Sequence, residues 1–117
     1  MPYKPGDIVI APFSYTDLTE GKNRPVQLIA QLPSYDGDWL ACMITSQVHQ
    51  FTEGIDIKIS DSDSDFADTA LKASSVFRVT RLMVISEDIM IGRIGNISEQ
   101  RLAKIIENLI GWLSRPM

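Results

Sequence analysis

The sequence predicts a mainly β fold: a small barrel accompanied by one C-terminal helix. Three observations predict it. Short apolar runs rich in β-branched residues, separated by Pro, Gly and Asp, occupy the first three quarters of the chain. The only sustained helical periodicity lies at the end. The chain has 117 residues and is 44% hydrophobic, which suits one globular domain over 1–117 and leaves little room for a second.

The elements follow in order. Ile8-Val9-Ile10-Ala11-Pro12-Phe13 is entered through Pro5-Gly6-Asp7 and reads as a buried strand. Pro12 has no N–H, so it should fall where no ladder donor is needed. Residues 14–23 are polar and form a loop longer than a tight hairpin requires. Val26–Ala30 is the next strand, Pro33, Asp36 and Gly37 make a turn, and Trp39–Thr45 is a further apolar strand. Ile55, Ile57 and Ile59 alternate with Asp56, Lys58 and Ser60, which predicts a strand with one wet face. Asp61-Ser62-Asp63-Ser64-Asp65 reads as a solvated loop. Phe77 and Val79 alternate with Arg78 and Thr80, and Leu82–Ile85 and Ile89–Ile94 complete the strands. The helix then shows Leu102, Ile105, Ile106, Leu109, Ile110 and Leu113 at i, i+3, i+4, i+7, i+8 and i+11. Ser98 is its N-cap and Glu99 suits the first turn. Ile97 and Leu102 take the positions of a hydrophobic staple. Pro116 stops extension.

Composition excludes several classes. No run approaches the roughly 20 apolar residues of a membrane span, and Met1–Gly6 has no apolar h-region, so neither membrane insertion nor a signal peptide is expected. The lone Cys42 cannot form an internal disulfide and reads as a small buried hydrophobe, in keeping with a cytoplasmic location. One Cys and one His cannot build a common structural zinc site. There is no G-x-x-x-x-G-K-[ST] or H-E-x-x-H motif, and His49 reads as a surface residue rather than the base of a triad. No cofactor is expected. The net charge of −4 argues against a surface that attracts nucleic acid everywhere. It leaves room for a local basic site, and Lys22 and Arg24 stand together where the long loop meets a strand. Pro25 restricts Arg24 to extended backbone, and the guanidinium fork matches a phosphate at two points.

The series Pro5-Gly6-Asp7-Ile8-Val9, Lys22-Asn23-Arg24-Pro25 and Ile44-Thr45-Ser46-Gln47 resembles, in order, the motifs of the MazF/PemK-like toxins. Leu71-Lys72 with Ser75-Val76-Phe77-Arg78-Val79, then Ile94-Gly95-Asn96-Ile97-Ser98 before a helix, continue the resemblance over nearly the whole chain. It implies an SH3-like barrel, a homodimer, selective cleavage of single-stranded RNA, and inhibition by a separate antitoxin protein.

Carried over by position, Arg24 and Thr45 are the candidate catalytic residues. The implied chemistry is attack of a ribose 2′-OH on the adjacent phosphorus, which uses RNA's own nucleophile and requires no metal. Arg24 would stabilise charge on the non-bridging oxygens, and Thr45 would fix the in-line geometry. Glu20, in the neighbouring loop, is a candidate acceptor for the 2′-OH proton. Lys22, Ser46, Gln47 and Arg78 are candidate RNA-binding residues. Some PemK-type members use an aspartate two positions after the arginine that Arg78 matches. Thr80 stands there and cannot do acid–base work near neutral pH, so Arg78 is read as a backbone contact. An alternative of another class is a catalytically inactive barrel that acts as a protein-binding dimer. A generic peptide-binding SH3-like module fits less well, since aromatics are 8% of the chain and Trp39 and Trp112 each stand alone among aliphatics.

Overall fold

The computed structural model describes residues 3–13, 22–33 and 37–115. Its order is β1 (Asp7–Phe13), β2 (Lys22–Gln31), β3 (Asp38–Thr45), a 3-10 turn (Val48–Gln50), β4 (Ile57–Ile59), a short helix α1 (Phe66–Thr69), β5 (Ser75–Ser86), a second 3-10 turn (Glu87–Ile89), β6 (Gly92–Asn96) and α2 (Glu99–Leu113). The six strands form one antiparallel sheet in the order β4-β5-β3-β2-β1-β6. The predicted mainly β architecture with a C-terminal helix is therefore present, curled as a half-barrel.

Register breaks accompany the curl. The pairing slips between Ile8 and Val9, between Leu28 and Ala30, and between Cys42 and Met43. Bulges of this kind bend a strand and increase its twist. The largest slip divides β5: Cys42 faces Leu82, whereas Met43 faces Arg78. What reads in sequence as two strands, around Phe77–Thr80 and Leu82–Ile85, is one bent strand of 12 residues.

Both faces of the central strands are covered, and neighbouring residues divide between two cores. Ile8, Ile29, Cys42, Ile44, Phe77 and Val79 pack with Ile105 and Leu109 of α2. Val9, Leu28, Ala41 and Trp39 pack with Ile85 and Met90 on the other side. At roughly 1.5–3 kcal/mol for each fully buried large aliphatic, these two clusters are the main stabilising elements. The entry to β1 depends on Gly6, whose φ of +97° favours glycine. From that position its N–H donates to Leu28 O and its carbonyl accepts from Ile97 N–H. Pro12 faces only Asn23, because the β6 pairing stops at Ile10.

α2 starts as expected, with Ser98 Oγ accepting from Arg101 N–H at 3.2 Å. Its stripe is split. Ile105 and Leu109 are buried and Leu102, Ile106 and Trp112 pack beside them, whereas Ile110 and Leu113 are 59% and 66% exposed. Arg101 ties the helix to the acidic loop: Nε donates to Asp65 Oδ2 at 2.8 Å and Nη2 to Asp63 Oδ2 at 2.9 Å. The Asp/Ser run is thus partly an anchor rather than only a solvated loop. The pairing holds the Asp65 carboxyl below the usual carboxylate range, chiefly through the hydrogen bond from Arg101.

Other sequence expectations need correction. β4 covers only Ile57–Ile59, and Asp56, expected on a wet face, is buried. Its oxygens accept from Thr52 N–H and Val79 N–H and face Arg78, which offsets the cost of burial. Ile89–Ile94 is not a strand throughout; the ladder begins at Gly92. His49 is at the surface as expected, in a 3-10 turn rather than a strand. The Pro116 stop and most of the 14–23 loop, Glu20 included, lie outside the described residues.

Candidate functional site

A groove of about 570 Å³ opens across the edge shared by β1, β2 and β3. β2 contributes Asn23, Arg24 and Pro25 at its start, and β3 contributes Ile44 and Thr45 at its end. The antiparallel register pairs Val26 with Met43. Continued by two residues on each strand, that register leads towards Arg24 and Thr45, which line the same groove. Pro25 faces Ile10 of β1, and Arg24 faces Ala11. The arginine's segment is therefore held in the ladder by β1.

The chain leaves β3 through Ser46 and Gln47, which are exposed and line the same groove. The corner is fixed locally, because Gln47 N–H donates to Thr45 Oγ1 at 3.0 Å. The Thr45 residue is only 5% exposed. A hydroxyl whose oxygen already accepts an N–H still has its own hydrogen to donate. In this setting it can offer that hydrogen to an oxygen bound in the groove.

The opposite wall is built by the stretch after α1: Ala70, Leu71, Lys72, Ala73 and Ser75, with Ile94 of β6 beside it. α1 ends at Ala70 in the left-handed conformation, φ 58°, which turns the chain into that wall. Among the described lining residues the charged groups are Arg24 and Lys72, and none is acidic. In a chain of net charge −4, this is a local cationic groove with apolar patches from Ile10, Ile44, Leu71 and Ile94.

The structure thus brings together four of the sequence candidates: Arg24, Thr45, Ser46 and Gln47. Lys22 is exposed at the head of β2, opposite Phe13 in the ladder and outside the lining set. Arg78 also lies outside it. Its Nε is 2.9 Å from Asp56 Oδ2, with side chains 13% and 0% exposed, and its Nη1 donates to Gln50 Oε1 at 3.0 Å. The Nε contact is one of charge, since no aligned hydrogen bond serves that atom. Glu20 lies outside the described residues. Sequence reasoning did not assign Asn23, Lys72 or Ser75 to the site. Lys72 and Ser75 stood in the motif series, but nothing local shows that their segment crosses the sheet to face Arg24.

A family model described as a PemK-like, MazF-like toxin of type II toxin–antitoxin systems matches residues 4–113. No curated protein matches the chain. Among solved structures, a Mycobacterium tuberculosis toxin, MazF-mt6, superposes with a TM-score of 0.68 at 17% identity, over 95% of this chain and 99% of that one. A mycobacterial endoribonuclease in complex with its cognate antitoxin superposes with a TM-score of 0.70 at 14% identity, over 99% of each chain. At such identities the structural likeness speaks for the fold.

Proposed function

This chain belongs to the PemK-like, MazF-like toxin family of type II toxin–antitoxin systems, and on that footing we propose that it is an endoribonuclease acting on single-stranded RNA in the cytoplasm. The observation that carries the reading is the groove where Arg24 and Thr45 meet. It is cationic and free of carboxylates among its described lining residues, within an otherwise acidic chain. Such a groove suits a polyanion whose approach the rest of the surface does not favour.

The reaction proposed is transesterification. The 2′-oxygen bonds to the adjacent phosphorus as its proton leaves, the P–O5′ bond breaks, and the 5′-oxygen takes a proton. The products are a 2′,3′-cyclic phosphate and a 5′-hydroxyl. Arg24 stabilises charge on the non-bridging oxygens, where a preorganised donor is most effective. Thr45 donates its hydrogen to a phosphate oxygen and holds the in-line geometry. Glu20 accepts the 2′-OH proton. Ser46 and Gln47 read the flanking nucleotides and Lys22 contacts the backbone outside the groove, which gives sequence selectivity. Because the nucleophile is RNA's own and Arg24 supplies the charge, the reaction proceeds without a metal or another cofactor.

Two partners complete the proposal. One is a second copy of the chain, for which the exposed Ile110 and Leu113 at the end of α2 supply apolar surface. The other is a cognate antitoxin whose extended acidic tail lies across the groove, competing with RNA for the same cations. Among the described residues no helix is long and apolar enough to cross a membrane.

The test is direct. The purified protein is incubated with a long single-stranded RNA and the new ends are mapped. Cuts recurring at one short sequence support the reading. Intact RNA in the presence of folded protein would instead favour the inactive, protein-binding barrel.

A further inference from the structure

Arg78 is a largely buried cation that lies outside the groove lining. Its charge is held by Asp56, a carboxylate with a fully buried side chain. A phosphate approaching Nε or Nη1 would compete with Asp56 and Gln50 for Arg78, and separating the pair would leave the buried Asp56 charge uncompensated. Its surroundings indicate another task. Arg78 Nη1 donates to Gln50 Oε1 at 3.0 Å, Gln50 N–H donates to Gln47 O at 3.0 Å, and Gln47 N–H donates to Thr45 Oγ1 at 3.0 Å. A continuous polar chain therefore runs from Asp56 to the hydroxyl in the groove. Two of its members are anchored in the sheet, where Arg78 pairs with Met43 and Thr45 with Val76.

We propose that Asp56, Arg78 and Gln50 form a positioning relay that holds the Ser46–Gln47 corner, and through it the Thr45 hydroxyl, in the orientation that donates into the groove. The proposal rests on the RNA-cleavage reading for its consequence, though not for its geometry. Arg78 acts as a positioning residue and does not touch RNA. Asp56 sets the Arg78 side chain by charge and accepts the Val79 N–H at 3.0 Å, so the relay begins at a rigid point. Gln50, partly exposed in the 3-10 turn, is the link that can be cut without exposing a buried charge.

The test compares Gln50→Leu and Arg78→Met with the unaltered protein by three readouts. The first is steady-state cleavage. Misplacement of a reacting group by about 1 Å costs up to about 100-fold, so a kcat loss of roughly 10- to 100-fold with KM little changed is expected for Gln50→Leu. Added to Thr45→Ala, Gln50→Leu should lower the rate no further, since coupled residues are not additive. The second is the salt dependence of RNA binding, whose slope falls by about one for each lost phosphate contact. The relay predicts an unchanged slope for Arg78→Met; a fall of about one would make Arg78 an RNA contact and overturn the proposal. The third is hydrogen exchange at the Gln47 amide, which needs no activity. It should quicken in Gln50→Leu while the core amides stay protected. An unchanged rate there would overturn the relay whether or not the protein cleaves. Failure of the unaltered protein to cut RNA would remove the enzymatic reading, and the relay would then be judged by the Gln47 exchange alone.

Discussion

Replacing Gly95 with alanine should destabilise the fold through one well-defined clash. Gly95 lies in β6 where α1 crosses it. A Cβ built there would sit 2.6 Å from both the carbonyl carbon and the oxygen of Thr69, and nearer still to Asp68 O. Ordinary contact begins near 3.4 Å, so an overlap of at least about 0.8 Å must be relieved. The obstructing atoms are backbone, which no rotamer change can move. Overpacking costs about 1–3 kcal/mol, and a clash with backbone falls in the upper part of that range, about 2–3 kcal/mol; set against a gain of about 0.4–1 kcal/mol from the reduced freedom of the unfolded chain, the net loss is about 1–2.6 kcal/mol. For a domain of this size each kcal/mol shifts Tm by about 4 °C, so a drop of roughly 4–10 °C is expected. Gly92 is the matched control, because nothing lies within 4 Å of its Cβ position. Thermal unfolding followed by circular dichroism gives the comparison. α1 also leads into the Ala70–Ala73 wall, so the KM for RNA should rise in Gly95→Ala. A Gly95→Ala protein as stable as the parent, or more so, would refute the close approach of α1 to β6.

Arg24→Ala should lower the cleavage rate by about 100-fold or more without loss of fold, as for other preorganised charge-stabilising donors; near-normal turnover would remove Arg24 from the mechanism. Asp65 titrates below the usual carboxylate range because of Arg101. Its contribution to stability is present above the unfolded carboxylate pKa, about 3.9, and is lost as the pH falls through the lower folded value. Urea unfolding from pH 6 downwards should show this loss in the parent, and a smaller one in Arg101→Met. Burial, with a further push from Asp56, raises the Cys42 thiol to about 12. A thiol reagent at pH 8 should therefore label the folded protein only as fast as it opens, and rapid labelling would contradict the core placement.

The sequence was most informative where the signals were local. The N-cap Ser98 and the spacing of Leu102, Ile105 and Leu109 define α2 without reference to the rest of the chain. β5 was harder because the slip between Cys42 and Met43 lies in its pairing with another strand, and no pattern within residues 75–86 records it. Asp56 reads as wet by alternation, yet its partner Arg78 stands 22 positions later. α1 has four residues, below the length at which helical periodicity can be read. Without α1 the Lys72 wall could not be placed opposite Arg24. The site was half legible for the same reason. Lys22-Asn23-Arg24-Pro25 and Ile44-Thr45-Ser46-Gln47 stand out as motifs, whereas the link from Arg78 through Gln50 to Thr45 exists only once β3 and β5 are paired.

The proposed RNA cleavage uses the substrate's own 2′-hydroxyl in the Arg24–Thr45 groove. The most direct measurement is cleavage of a long single-stranded RNA by the purified protein in excess EDTA, with the chemistry of both new ends determined. Cutting should persist and leave 2′,3′-cyclic phosphate and 5′-hydroxyl termini. Cutting abolished by the chelator and restored by magnesium, or products with 5′-phosphate ends, would contradict it.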